Sequence, residues 1–290
     1  MVQSNKPISP LRQRMIEDMT LRKLNEKTQS QYIRAVVRLA HCLERAPDTA
    51  TAEDLRLFQL HMAENGVSSI TINTTLTGLK FFFTHTLDKP EVLKRVSRVY
   101  EPRKIPAVLT VQEVTRLLAA AGSLRNQAAL SISYGSGLRA SEVCHLKISD
   151  IDSERMILQV EEGKGQRDRY AMLSPTMLKI LRAWYRDGRA SGTLLSSGWL
   201  FPGQNPVNSM TPRQLNRIFH SARMDAQIDK HVSLHSLRHS FATHLLEQHV
   251  DIRVIQVLLG HKKIANTMRY SQVATNLLKE VKGPLEYLSL

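Results

Sequence analysis

The chain has 290 residues, which is long for one domain and comfortable for two, and its 42% hydrophobic content is enough to fill packed cores. It carries 40 Lys+Arg against 26 Asp+Glu, a net charge of +14. It shows no run of 18 apolar residues and no apolar signal core after the start MVQSNKPISPLRQR, so neither a membrane span nor secretion is expected, and the protein reads as cytoplasmic. The basic excess is spread along the chain: residues 1–107 hold 17 basic and 11 acidic side chains, and residues 108–290 hold 23 and 15. Two basic halves are what a protein wrapping DNA or RNA presents, and a soluble protein with a solvated basic surface has the same balance. Cys42 and Cys144 each sit inside an apolar helical pattern and read as buried free thiols in a reducing compartment.

Residues 8–87 read as four helices. Pro10 to Met19 is short and amphipathic; Thr28 to Leu43 places Tyr32, Ala35, Val36, Leu39 and Leu43 near the helical period. Thr51 with Asp54 forms a relative of the capping box, and a fourth helix runs from Ser69 through Leu76 and Leu79 into Phe81-Phe82-Phe83, aromatics expected in a core. Residues 88–109, DKPEVLKRVSRVYEPRKIPAVL, keep no helical period and are rich in Pro, Lys and Arg. They read as an extended basic linker, either laid across a DNA backbone or free of contact.

A second domain is expected over 110–290. Thr110 to Glu113 is a capping box that opens a helix; Leu124 to Tyr134 is a second; then come Gly135-Ser-Gly137 and Arg139, with Glu142 three residues on and on the same face. Ile157 to Val160 and Tyr170 to Leu173 read as the strands of a β-hairpin whose tip, Gly163 to Arg169, carries Lys164, Arg167 and Arg169. Helices return at Ser174 and Thr211, each with Pro at the first helical position. The stretch Ser233 to Tyr270 follows. His235 and Arg238 share a helix face, Leu258-Leu259-Gly260-His261 closes the next helix with Gly at its cap, and Tyr270 lies nine residues on. The tail 272–290 is amphipathic.

A Walker phosphate loop is absent, so no nucleotide cofactor is implied. His235, His239 and His244 raise a zinc reading, but the position after His235 is Ser236 and no acidic or Cys ligand lies at a fitting distance downstream. Taken jointly, the polar residues fit chemistry on a phosphodiester. Tyr270 can be the nucleophile, and Arg139 and Arg238 can fork onto phosphate oxygens. His235 and His261 can donate hydrogen bonds or relay protons, and Lys164 can protonate the departing oxygen. With that many cations no metal is needed.

The segments YGSGLRASEVCHL, EEGKGQRDRYAML, SLHSLRHSFATHLLE and LLGHKKIANTMRY, in this order and at these separations, resemble the tyrosine recombinase (phage integrase) family, in the style of its Xer-like, transposon-borne and integron-type members. The resemblance places the family's catalytic set on Arg139, Lys164, His235, Arg238, His261 and Tyr270, with Glu142 as an acidic support. It implies a mainly α fold with a small antiparallel β-hairpin. The two domains would close as a C-shaped clamp: a helical, SAM-like core-binding domain over 8–87, a linker over 88–109, and a catalytic domain over 110–290 whose tail docks on a neighbouring protomer.

The implied activity is site-specific DNA recombination through a 3′-phosphotyrosyl intermediate, without ATP or metal. The implied partners are double-stranded DNA with an inverted-repeat core site and three further protomers, identical copies or a second recombinase, in a nucleoid-associated tetramer on two sites. No arm-type DNA-binding domain precedes residue 8, and no added segment of the integron kind precedes His235, which favours a simple Xer-like or transposon-borne enzyme. Two other readings share features with this one: a catalytically silent architectural DNA-binding protein, and a type IB topoisomerase-like relaxing enzyme. His239 and His244 are expected to be dispensable for chemistry.

Overall fold

A computed structural model describes residues 9–101, 106–161, 168–195, 198–261 and 264–268. The chain divides into two compact units, residues 1–103 and 104–290, each with its own apolar core. Among the described residues, no helix is long and apolar enough to cross a membrane.

The first unit contains α1 (Pro10–Leu21), α2 (Glu26–Leu43), α3 (Ala52–Glu64) and α4 (Ser69–Phe81). Polar caps set the starts: Ser9, Asn25, Thr51 and Ser68 each accept a hydrogen bond from a backbone N–H in the first turn. Helices α2 and α4 approach closely because Gly78 has no side chain; a Cβ there would lie 2.9 Å from Ala35 Cβ. Beyond α4 the helix widens into one π-type turn over Phe82–Thr86. Phe81, Phe82 and Phe83 are all buried, as expected of core aromatics, together with Met19, Leu39, Leu55 and Leu79.

Residues 88–101, expected as part of an extended basic linker, pack on the first core. Pro90–Leu93 forms a short 3-10 turn, Val92 is buried, and Val96 and Val99 pack against the first core. Side-chain amides stand in for a strand partner. Gln59 donates to the Ser97 carbonyl at 2.7 Å and accepts from its N–H, and Asn73 does the same for Val99 at 2.9 Å. Arg95 adds an ion pair to Glu53. Three valines at positions 92, 96 and 99 supply the apolar contacts that hold this stretch down.

The second unit contains α5 (Val111–Ala119), α6 (Leu124–Gly135), α7 (Ala140–Cys144), α8 (Pro175–Ala190), α9 (Pro212–Asp225), α10 (Leu234–Glu247), α11 (Ile252–Leu259) and α12 (Ala265–Met268). A three-stranded antiparallel sheet joins β1 (Ile151–Asp152), β2 (Ile157–Val160) and β3 (Arg169–Met172) in sequence order. The hairpin expected from sequence is the β2–β3 pair; β1, only two residues long, lies below what alternation can reveal. In its register Leu158 faces Ala171 and Val160 faces Arg169. The architecture is thus mainly α with a small antiparallel sheet. The core gathers α6, α8, α9 and the sheet around Leu130, Ile132, Val143, Leu158, Trp184 and Phe219, and a smaller cluster of Phe241, Ala242, Ile255 and Leu259 joins α10 to α11.

Both cysteines are free thiols, but only Cys144 is buried; Cys42 lies on the exposed side of α2, which corrects the expectation for it. Burial pushes the Cys144 thiol up to about 12.

Candidate active site

Three segments distant in sequence meet at one carboxylate. The turn after α6 passes through Gly137 at φ +61, where a Cβ would lie 2.5 Å from Phe241 Cδ1. This tight approach brings the next residue but one, Arg139, to the start of α7. Glu142, in the first turn of α7, reaches back and accepts from the Arg139 backbone N–H at 2.7 Å through Oε2 and from its Nη1 at 2.5 Å through Oε1. The pair expected on one face is therefore a capping interaction and an ion pair at once. Arg139 keeps 34% of its side chain exposed, whereas Glu142 keeps 7%.

Arg238 enters from α10 and is the largest fully buried side chain among the described residues, at 1% exposure. Its Nη1 donates to the Gly137 carbonyl at 2.6 Å and its Nη2 to the Leu259 carbonyl at 2.5 Å, and Nη1 stands 3.9 Å from Glu142 Oε2. One guanidinium thus ties the α6–α7 turn to the C-terminus of α11. There Gly260 takes the left-handed cap at φ +64, and the His261 N–H returns to the Gln256 carbonyl at 3.0 Å. Gln256 Nε2 donates to the His261 carbonyl at 2.9 Å, and His261 Nδ1 is 2.9 Å from the Oγ1 of buried Thr267. These contacts orient the His261 ring. Arg139 Nη2 also reaches the Gly260 carbonyl, at 3.5 Å.

The structure moves Arg169, expected on the basic hairpin tip, into the site. It is the first residue of β3, two before buried Ala171, so alternation turns it to the inner face while Tyr170 stays 60% exposed. Arg169 Nη2 donates to Glu142 Oε2 at 2.9 Å. Burial pushes the Glu142 carboxyl up, but the charges of Arg169 and Arg139 and the hydrogen bond from the Arg139 N–H outweigh it, holding the group below its ordinary value. Glu142 therefore stays ionised, and three guanidiniums share its one negative charge.

His235 sits exposed in the first turn of α10, three residues before Arg238, with its ring edge-to-face on His239 at 4.5 Å between centroids. His244 is buried, bonded to Tyr134 Oη at 2.9 Å, and burial lowers its pKa. Lys164 and Tyr270 lie outside the described residues. Arg139, Glu142, Arg238 and His261 are thus brought to one neighbourhood, and Arg169, Gln256 and Thr267 join them without having been singled out from sequence. Only for Arg169 was a signal available, its parity with Ala171 in β3.

Residues 107–276 match the phage integrase family, and residues 11–91 match the phage integrase N-terminal SAM-like domain. The chain belongs to the phage integrase family. Curated relatives of this integrase include integrase/recombinase y4qK of Sinorhizobium fredii, 40% identical over 97% of this chain and 90% of that protein. Tyrosine recombinase XerA of Pyrococcus horikoshii is 33% identical over 79% of each chain. The integrase is accordingly an enzyme of the tyrosine recombinase type. Among solved structures, XerH site-specific recombinase bound to palindromic difH substrate matches its fold with a TM-score of 0.73, at 21% identity over 95% of this chain and 85% of that one.

Proposed function

We propose that this tyrosine recombinase cuts and rejoins DNA at specific sites through a covalent 3′-phosphotyrosyl link to Tyr270. The observation that carries the reading is the convergence of Arg139 and Arg238 on Glu142 beside the His261 turn, drawn from segments about a hundred residues apart. Binding DNA by charge alone requires no such arrangement, since scattered surface cations suffice. In the proposed chemistry the Tyr270 oxygen attacks the phosphorus and the P–O5′ bond breaks. The tyrosine proton passes to a base at the site, and Lys164 gives a proton to the departing 5′ oxygen. Arg139 and Arg238 offset the negative charge that grows on the phosphate, and His235 and His261 hydrogen-bond its oxygens. The phosphodiester energy is kept in the tyrosyl ester, so a 5′-hydroxyl from a partner strand reverses the step without ATP or metal.

The first unit then serves as the core-binding domain and the second as the catalytic domain, with residues 272–290 reaching a neighbouring protomer. The DNA site is an inverted repeat, and four protomers hold two such sites. The relatives named as recombinases, and the fold shared with XerH on its difH substrate, support this reading.

The test is a nicked duplex carrying the inverted repeat from the DNA that flanks the gene. Wild-type protein should accumulate a covalent adduct that Tyr270→Phe cannot form. An adduct undiminished in Tyr270→Phe, or none with wild type, sinks the proposal and leaves an architectural DNA-binding protein. Pairing and exchange between two sites distinguishes a recombinase from a relaxing enzyme, which cuts and reseals one site alone.

A further inference from the structure

Glu142 poses an electrostatic problem for the site. Its carboxylate orients Arg139 through two hydrogen bonds, yet one carboxylate against one guanidinium cancels the charge that a phosphate is to meet. Arg238 lies 3.9 Å from the same carboxylate, but both its Nη atoms donate to backbone carbonyls. The cation that hydrogen-bonds Glu142 from the other side is Arg169, at 2.9 Å, with its side chain only 10% exposed.

How Arg169 is held indicates what it contributes. Its Nη2 meets Glu142, but its Nε and Nη1 are buried with no hydrogen-bond partner among the described residues. A guanidinium kept for its hydrogen-bonding fork would have acceptors for those donors, because an unmet buried donor is unfavourable. The side chain also presses on Gly260, where a Cβ would lie 2.5 Å from Arg169 Nε, so the cap residue before His261 has to be glycine for Arg169 to fit. The fold therefore accommodates a full cation at this place while leaving two of its three nitrogens without acceptors among the described residues.

We propose that Arg169 is a positioning residue that offsets the charge of Glu142, so that Glu142 can hold Arg139 in place while the site keeps a surplus of two positive charges for the phosphate. In this role it acts through Glu142 and not by contact with the phosphate. The proposal rests on the recombinase reading above.

The experiment uses the full chain in three forms: wild type, Arg169→Lys, which keeps the charge but loses the fork, and Arg169→Met, which is similar in size and neutral. Single-turnover adduct formation on the nicked duplex is measured at saturating DNA, alongside DNA affinity. Arg169→Met should slow the adduct step about 10-fold or more, with affinity within about threefold of wild type, and Arg169→Lys should return to within about threefold of the wild-type rate. If Lys and Met are equally slow, the fork and not the charge matters, and the proposal fails. It fails also if Met is as fast as wild type. Should Arg169→Met not fold, Arg169→Gln replaces it.

A second readout needs no DNA. Glu142 has a depressed pKa in the folded state, so the stability its pairing supplies is present above its ordinary value of 4.5 and is lost as pH falls through the folded value. The stability gap between Arg169→Lys and Arg169→Met should be open at pH 7 and narrow as pH falls below 4.5 through the folded value. A gap that does not change with pH overturns the charge role. If wild type forms no adduct while this gap behaves as expected, the recombinase reading fails and the pairing role stands.

Discussion

At the scale of single residues, the two arginines expected to clamp the phosphate are not equivalent. Arg139 is a third exposed and leans on one carboxylate, whereas Arg238 is fully buried and holds the Gly137 and Leu259 carbonyls together. Arg139→Ala should destabilise less than Arg238→Ala, since no buried carbonyl rests on it alone, and slow adduct formation roughly 10²–10³-fold, the loss seen when a charge-stabilising donor is removed. Arg238→Ala should also lower unfolding stability by about 3–5 kcal/mol, because it leaves buried carbonyls and part of the Glu142 charge uncompensated. Denaturant melts alongside the suicide-substrate assay separate the two, and equal stability of the variants would show that Arg238 is not the tie described. Each of the six residues proposed for the site lies in a short motif, which is why the sequence alone could single them out. Their division of labour was not legible, since it depends on burial that appears only when α10 inserts between distant segments. Arg169 was misread for the same reason: a cation next to a glycine turn looks like hairpin tip until strand register turns it inward.

Helix starts were the most legible elements, because a cap is a local interaction between residues three apart. Thr110 and Glu113 form both bonds of a capping box, at 3.2 and 2.7 Å, and Thr51 and Asp54 do likewise. Thr110→Ala should cost about 1 kcal/mol of stability in a thermal or urea melt without changing DNA affinity. The turn at Gly137 is a harder constraint. Alanine there meets both a left-handed backbone and the Phe241 ring, so Gly137→Ala should destabilise by about 1–3 kcal/mol and weaken the Arg238 bond to the 137 carbonyl, visible as slower adduct formation than the melt alone predicts. The two-residue strand β1, the π-type turn after α4 and the four-residue α12 escaped sequence reading because each spans barely one period, too little for a repeat to show.

For the whole molecule, the basic balance of both units argues for binding governed by counterion release. Affinity for DNA should fall linearly in log–log form with salt, by at least about tenfold between 50 and 200 mM, and a fluorescence anisotropy titration across that range checks it. A flat response would mean that the net charge of +14 is solvated surface and not a DNA footprint. The division into two units was foreseeable from length and from the break in helical period after residue 87. The packing of 88–101 on the first core was not legible, because Pro, Lys and Arg there outweighed the three valines and the amides of Gln59 and Asn73 that receive this stretch are far away in sequence.

The Arg238 tie also bears on biosynthesis. Its two carbonyl partners are residues 137 and 259, separated from it by 101 and 21 positions, and the Arg139 contact to Gly260 spans 121. During synthesis, a chain that has not yet extruded α11 lacks one of the two carbonyls on which Arg238 rests and the whole His261 turn. Such long-range contacts form late. The newborn polypeptide therefore carries Arg139, Arg169 and Arg238 before it has the turn that joins them, and a product truncated ahead of α11 would lack the Leu259 and Gly260 carbonyls on which two of them rest.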